Sequence, residues 1–254
     1  MLRRMRSQLT AAVVVAATAI LVAGCGGANK GDSASPSATT TTASSKTPLA
    51  QGALPDLMLS PTDIDTALGA TGTSSDPPIT TLLEDPFKRE DYTFPAECRY
   101  TMHAALASVY ADSGSTAVYG YHDQAPAPPS ADQLESPEVY QVVVLFPSPE
   151  QASAFFTTSA QRWPACANRQ DTVPAADGKP ELQWKVGQVS NANGVLSVPV
   201  TLTVVGNGAT MTVPCQRALT VRNNVVIDID ACRKDVGDRG VSIANQIAAK
   251  VDKQ

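Results

Sequence analysis

The chain has 254 residues, with 19 basic and 24 acidic side chains, a formal charge of −5, five cysteines and two histidines. Setting aside Arg3, Arg4 and Arg6 at its start leaves 16 basic against 24 acidic residues, a formal −8, with no basic run. A nucleic-acid partner therefore has no electrostatic footprint, and the acidity speaks for solubility rather than for a particular ligand.

Arg3, Arg4 and Arg6 precede an apolar stretch from Leu9 to Val22. That stretch is too short for a stable span and is followed by small residues, the pattern of a secretory signal covering residues 1–24. Leu21-Val22-Ala23-Gly24-Cys25 resembles the bacterial lipobox, with Val22 where Leu is commonest. Cys25 is then the lipidation site, and two or more acyl chains on one cysteine suffice for stable anchoring. The membrane becomes a partner through that anchor, and the expected location is the outer face of the cell membrane. Residues 25–50 read as a tether. Gly26–Lys46 is dominated by Gly, Ser, Thr and Ala and cannot bury enough apolar surface to order itself. Such stalks can carry O-linked sugars.

The remaining 51–254 is long enough for one sizeable domain. Ser60 caps a helix with Pro61 at its first position; Ile64, Ala67 and Leu68 share a face, and Gly69 ends it. Thr101–Val109 suggests a short helix, Ser115–Tyr121 a strand, and Gln124–Pro137 a Pro-rich mobile loop. Glu138–Phe146 is a β-branched strand ended by Pro147. Ser148 and Gln151 form a capping-box pattern before a core stripe of Ala152, Phe155, Phe156, Ser159, Ala160 and Trp163, and Pro164 stops the helix. Leu182–Ser190 and Val195–Val205 flank the turn sequence Asn191-Ala192-Asn193-Gly194. Met211–Arg222 and Val225–Ala231 flank Asn223-Asn224, and Val241, Ile243, Ala244, Ile247, Ala248 and Val251 predict a final inward-facing helix. The fold class is α+β: a mainly antiparallel sheet with packed helices.

Once Cys25 is lipidated, Cys98, Cys166, Cys215 and Cys232 remain, with three possible connectivities. A two-residue turn at Asn223-Asn224 pairs residues whose numbers sum to 447, as Cys215 and Cys232 do. Counting from the turn makes this a non-hydrogen-bonded pair with Cα atoms ~4.5 Å apart, the short end of disulfide tolerance. The same register sets Arg217 against Asp230 as a charge pair and puts Val225, Ile227, Ile229 and Ala231 on the opposite face. Cys98–Cys166 follows by elimination. No CxxC spacing exists, so a metal site is not expected, and no cofactor is called for.

No nucleophile elbow, metalloprotease motif or phosphate-cradling loop occurs, and no catalytic residue is assigned. His103 reads as structural, His122 as a solvent-exposed residue at a strand end. With Asp230 neutralised by Arg217, Asp228 is the more interesting carboxylate, though still structural.

Gln161-Arg162-Trp163-Pro164-Ala165-Cys166, Val189-Ser190-Asn191-Ala192-Asn193-Gly194 and Cys215 through Asp228 resemble the PknH-like extracellular sensor domain, as does the opening segment Leu57–Gly69. That family forms the exterior part of a mycobacterial receptor Ser/Thr kinase and recurs in stand-alone lipoproteins. The resemblance implies a helix-packed antiparallel sheet, two internal disulfides and a ligand-taking cleft. The chain departs from the pattern in carrying no kinase domain or spanning helix. It also has Val213-Pro214 before Cys215, where relatives often place an aromatic residue. The leading functional expectation is a non-catalytic surface lipoprotein that binds a small envelope ligand or a protein partner. Arg162, Asn191, Asn193 and Arg217 are its polar candidates. An accessory protein docking on a receptor kinase and an envelope-polymer hydrolase are the alternatives.

Overall fold

In the computed structural model, the residues described are 47–85, 92–127, 136–176, 178–206 and 208–254. The leader, Cys25 and the tether as far as residue 46 lie outside them, as does the 128–135 part of the Pro-rich loop. Among the described residues no helix is long and apolar enough to cross a membrane.

The β-branched runs pair into a nine-stranded antiparallel sheet. Its strands are β1 (Ser74–Ser75), β2 (Ala117–Gln124), β3 (Glu138–Leu145), β4 (Gln170–Val173), β5 (Glu181–Val186), β6 (Ser190–Ala192), β7 (Val195–Gly206), β8 (Ala209–Arg222) and β9 (Val225–Cys232). Their spatial order is β1-β2-β3-β9-β8-β7-β5-β4, with β6 also on β7. Helices cover both faces: α1 (Pro61–Leu68), α2 (Arg99–Met102), α3 (Ala107–Tyr110), α4 (Pro149–Arg162) and α5 (Arg239–Val251).

Strand alternation divides the core in two. On one face Val225, Ile227, Ile229 and Ala231 pack with Ile64 and Leu68 of α1 and with Ile243, Ala244, Ile247, Ala248 and Val251 of α5. Burying one such aliphatic side chain contributes roughly 1.5–3 kcal/mol. Gly240 is required where α5 meets the sheet, because a Cβ there would stand 2.7 Å from the Gln216 carbonyl oxygen. On the other face Val142, Val144, Val226 and Leu219 pack with Phe155 of α4, Trp163, Tyr110 and Met102.

Most predicted elements occur, with instructive differences. The capping box is complete at Ser60 and Asp63, whereas Ser148 shows only its half, accepting from the Gln151 amide. The expected helix Thr101–Val109 is two short helices, α2 and α3, because Ala105 takes a left-handed conformation (φ 52°) between them. The expected strand Leu182–Ser190 is interrupted after Val186. Pro199 of β7, which has no N–H to donate, lies at that gap; its carbonyl accepts from the Gly187 amide at 2.8 Å. A Cβ on Gly187 would meet the Pro199 ring at 2.6 Å. Asn193 and Gly194, both at positive φ, then turn β6 into β7.

The β8–β9 hairpin has the predicted register, with Cys215 opposite Cys232 and Arg217 opposite Asp230. Both disulfides are formed, Cys215–Cys232 with Cα atoms 4.0 Å apart and Cys98–Cys166 at 4.9 Å. The amide of Leu49 donates to Asn224 Oδ1 (2.7 Å), and Asn223 Nδ2 donates to the Thr47 carbonyl (2.8 Å). The chain is therefore held on the hairpin turn from Thr47 onward.

The bridges span 68 and 17 residues, so loop-closure entropy ranks them. Cys98→Ser with Cys166→Ser should cost about 4 kcal/mol and Cys215→Ser with Cys232→Ser about 3 kcal/mol. Denaturant unfolding of the two variants checks that order.

Candidate functional site

Where β8 and β9 cross the middle of the sheet, one face carries charge. Arg217 and Asp228 are buried (1% and 2% exposed) and paired, Nη2 to Oδ1, at 2.6 Å. The register aligns Arg217 with Asp230, but the long side chain reaches the diagonal neighbour two residues along the same face. Asp228, not Asp230, is therefore its ion-pair partner, which corrects the sequence expectation. Arg217 Nη1 also donates to the Ile229 carbonyl, and the guanidinium lies 5.7 Å from the centre of the Trp163 ring.

Two further donors complete Asp228. The Ala105 amide reaches Oδ2 at 2.8 Å and the Tyr110 hydroxyl at 3.0 Å. The left-handed turn at Ala105 is what aims that amide, so the break between α2 and α3 serves the buried charge. Burial, then Asp228, hold the Tyr110 phenol well above its ordinary pKa, so it stays protonated and donates. Burial works against the Arg217 charge, but Asp228 and Asp230 outweigh it and keep the guanidinium charged. Burial pushes Asp230 up, against the pull of Arg217.

The cavity beside this pair is only about 10 Å³, lined in part by Tyr100, His103, Tyr110 and Trp163. Among the described residues, the buried Arg217 Nε has no hydrogen-bond partner. A space of that size takes at most one water-sized molecule. The centre is thus built to hold the fold rather than to take a ligand.

The other sequence candidates are scattered. Arg162 is exposed and lies over the Tyr100 ring (4.8 Å), donating to its hydroxyl. Asn191 and Asn193 are exposed in β6 and its turn. His103 Nδ1 lies 3.0 Å from the Ala104 carbonyl oxygen, and its ring stands edge-on to Tyr140. His122 is not solvent-exposed at a strand end: it lies within β2, 18% exposed, between Asp76 and Glu138. The hydrogen bonds of both imidazoles thus go to a carbonyl and to carboxylates.

Ligand-sized space lies elsewhere, at the end of β7–β8. Cross-strand register stacks Leu182, Val204 and Met211 in one row and Trp184, Leu202 and Val213 in the next. Trp184 is buried, whereas the other five are only partly covered. Val204 and Met211, with Ala175, Ala176 and Pro180 from the β4–β5 turn, line a trough of about 660 Å³. Gly206 lets that turn approach, since a Cβ there would lie 3.0 Å from Pro180 Cβ. Val213, the departure noted in the sequence, occupies the same face as Met211. A second, polar trough of about 530 Å³ involves Gln183, Lys185, Thr201 and Thr203 on the reverse face. None of Arg162, Asn191, Asn193 and Arg217 lines either trough. Sequence reasoning missed the apolar trough because its wall comes from three separate segments. The one available signal was the unbroken apolar alternation continuing to the tip of β7.

A helix-backed antiparallel sheet closed by two disulfides defines an extracellular-type α+β domain. Residues 49–250 match the family model described as PknH-like extracellular domain, and the chain belongs to that family. It is 31% identical over 209 residues to the serine/threonine-protein kinase PknH of Mycobacterium bovis and to that of Mycobacterium tuberculosis, over 82% of this chain. Those 209 residues are 32% and 30% of the two kinases, so the chain spans about a third of the length of these curated relatives. The crystal structure of the extracellular domain of PknH from Mycobacterium tuberculosis superposes with a TM-score of 0.67 at 28% identity. It is covered over 99% of its length, and 82% of this chain is matched. The similarity lies in the non-catalytic extracellular part of the kinase.

Removing one partner of the buried pair strands the other. Asp228→Asn should cost about 3–5 kcal/mol, and Tyr110→Phe, which deletes one donor to a carboxylate, about 2 kcal/mol. Urea unfolding of the two variants measures both.

Proposed function

We propose that this protein is a non-catalytic, lipid-anchored surface receptor whose apolar trough captures a small envelope ligand. The observation that carries the reading is the trough itself, largely apolar, partly open and of ligand size. Among its described lining residues, Ala175, Ala176, Pro180, Val204, Val205 and Met211 suit an acyl or isoprenoid chain, and Lys179 is the charged side chain beside them. The lipobox pattern ending at Cys25 supports tethering to the outer face of the membrane, with the Ser/Thr-rich stretch as spacer.

Detergent phase separation tests the anchor. The native chain should enter the detergent-rich phase, and Cys25→Ala should leave it in the aqueous phase. A thermal-shift screen of cell-wall fragments and lipids tests the trough. Lipidic compounds should raise the melting temperature, and Met211→Glu or Val204→Glu should abolish the shift, while Asn193→Asp leaves it unchanged. A screen silent for every lipid overturns the small-ligand reading and leaves the trough to a protein surface, which crosslinking on intact cells would identify.

A further inference from the structure

We propose that Asp76, His122 and Glu138 form a proton-operated clasp that holds the edge segment 74–83 onto the sheet and links it to the buried Arg217–Asp228 centre. The segment is weakly attached. β1 has two residues, both exposed, and most of 71–81 is exposed. Its backbone bonds to the sheet beyond β1 are Asp76 N–H to the His122 carbonyl (2.9 Å) and the reciprocal pair of Ile79 and Gly120 (2.8 and 3.0 Å). The clasp adds side chains on one face: His122 Nδ1 meets Asp76 Oδ2 at 2.8 Å, and Nε2 meets Glu138 Oε2 at 3.1 Å.

A carboxylate can only accept, and a neutral imidazole carries one N–H. Both contacts are therefore hydrogen bonds only when the ring is an imidazolium. On losing its proton, the ring turns a lone pair toward one of the two carboxylates. Tyr140 favours the charged form as well, since its ring lies stacked on His122 at 4.2 Å with 13° between planes. Burial, followed by Glu138, Asp230 and Asp76, pushes the Tyr140 phenol up to about 12, so it takes no part in titration near neutrality.

Among the described residues, the other titratable groups around the ring are Asp123, His103 and Asp230. Asp123, next in the chain, sits on the reverse face, held by Ser75 Oγ and by Gln141 Nε2; burial raises its pKa. His103 stands edge-on to Tyr140 at 4.3 Å, and Asp230 lies cross-strand from Tyr140. Burial of His122 disfavours its charge, but Glu138 and Asp76 outweigh burial, and its pKa is raised. A raised imidazole pKa stabilises the folded state fully below the ordinary value of about 6.5, and that stabilisation is lost as pH rises through the raised value. The clasp is therefore closed below about pH 6.5 and released as pH rises through the raised value.

Release reaches inward because the segment's other end grips the loop that serves the buried pair. Leu83 N–H donates to the Ala105 carbonyl at 2.9 Å, and Ala105 N–H donates to Asp228.

The test uses the full chain in detergent micelles, labelled with ¹³C-histidine, whose two histidines give two resonances. His122 should titrate above free imidazole, and Asp76→Asn and Glu138→Gln should each lower its midpoint. Amide exchange at Ile79 and Leu83, corrected for the intrinsic rate, should lose protection several-fold above the midpoint, and His122→Gln should remove that pH dependence. The proposal is overturned if His122 titrates at or below free imidazole, if wild-type protection does not change with pH, or if the dependence persists in His122→Gln, which would place it on another group.

Discussion

One buried ion pair sets the terms for the rest of the molecule. Arg217 and Asp228 are withdrawn from water in the middle of the sheet, where the desolvation penalty of each charge runs to several kcal/mol. The penalty is tolerated because each is surrounded by groups placed for it: the Ile229 carbonyl and the Trp163 ring for the guanidinium, the Ala105 amide and Tyr110 hydroxyl for the carboxylate. Those four groups come from β9, the end of α4 and the α2–α3 region, so satisfying two charges positions three separate parts of the chain.

The disulfides reinforce the same neighbourhood. Cys215–Cys232 pins the hairpin that carries both charges, and Cys98–Cys166 ties the start of α2 to the turn after α4, the two elements that cover the charged face. Rigidity is thus concentrated at the centre. The two ends of the sheet are managed differently: β1 and the segment after it lie on one edge by a few contacts, and the β7–β8 tip extends beyond the helices with partly covered apolar rows.

Membership of the PknH-like extracellular domain family is consistent with this arrangement. The family likeness extends over nearly the whole solved extracellular domain of the Mycobacterium tuberculosis kinase. At the tip, Val213 stands on the apolar face beside Met211.

The amino-acid sequence by itself determined the α+β class, the boundaries of α1, α4 and α5 to within a few residues, the register of the last hairpin and both disulfide pairings. These are local matters: proline and hydroxyl caps, period-3.6 and period-2 stripes, and a two-residue turn from which pairing can be counted. The tertiary structure alone decided that Arg217 turns to Asp228, that Ala105 breaks a helix to feed it, and that Gln170–Val173 is an edge strand despite its polar composition. It also decided that His122 sits between two carboxylates and that the tip forms an apolar trough. Each of these depends on groups distant in sequence converging in space. Strand twist, diagonal reach and the demand of a buried charge for partners act only once the sheet exists.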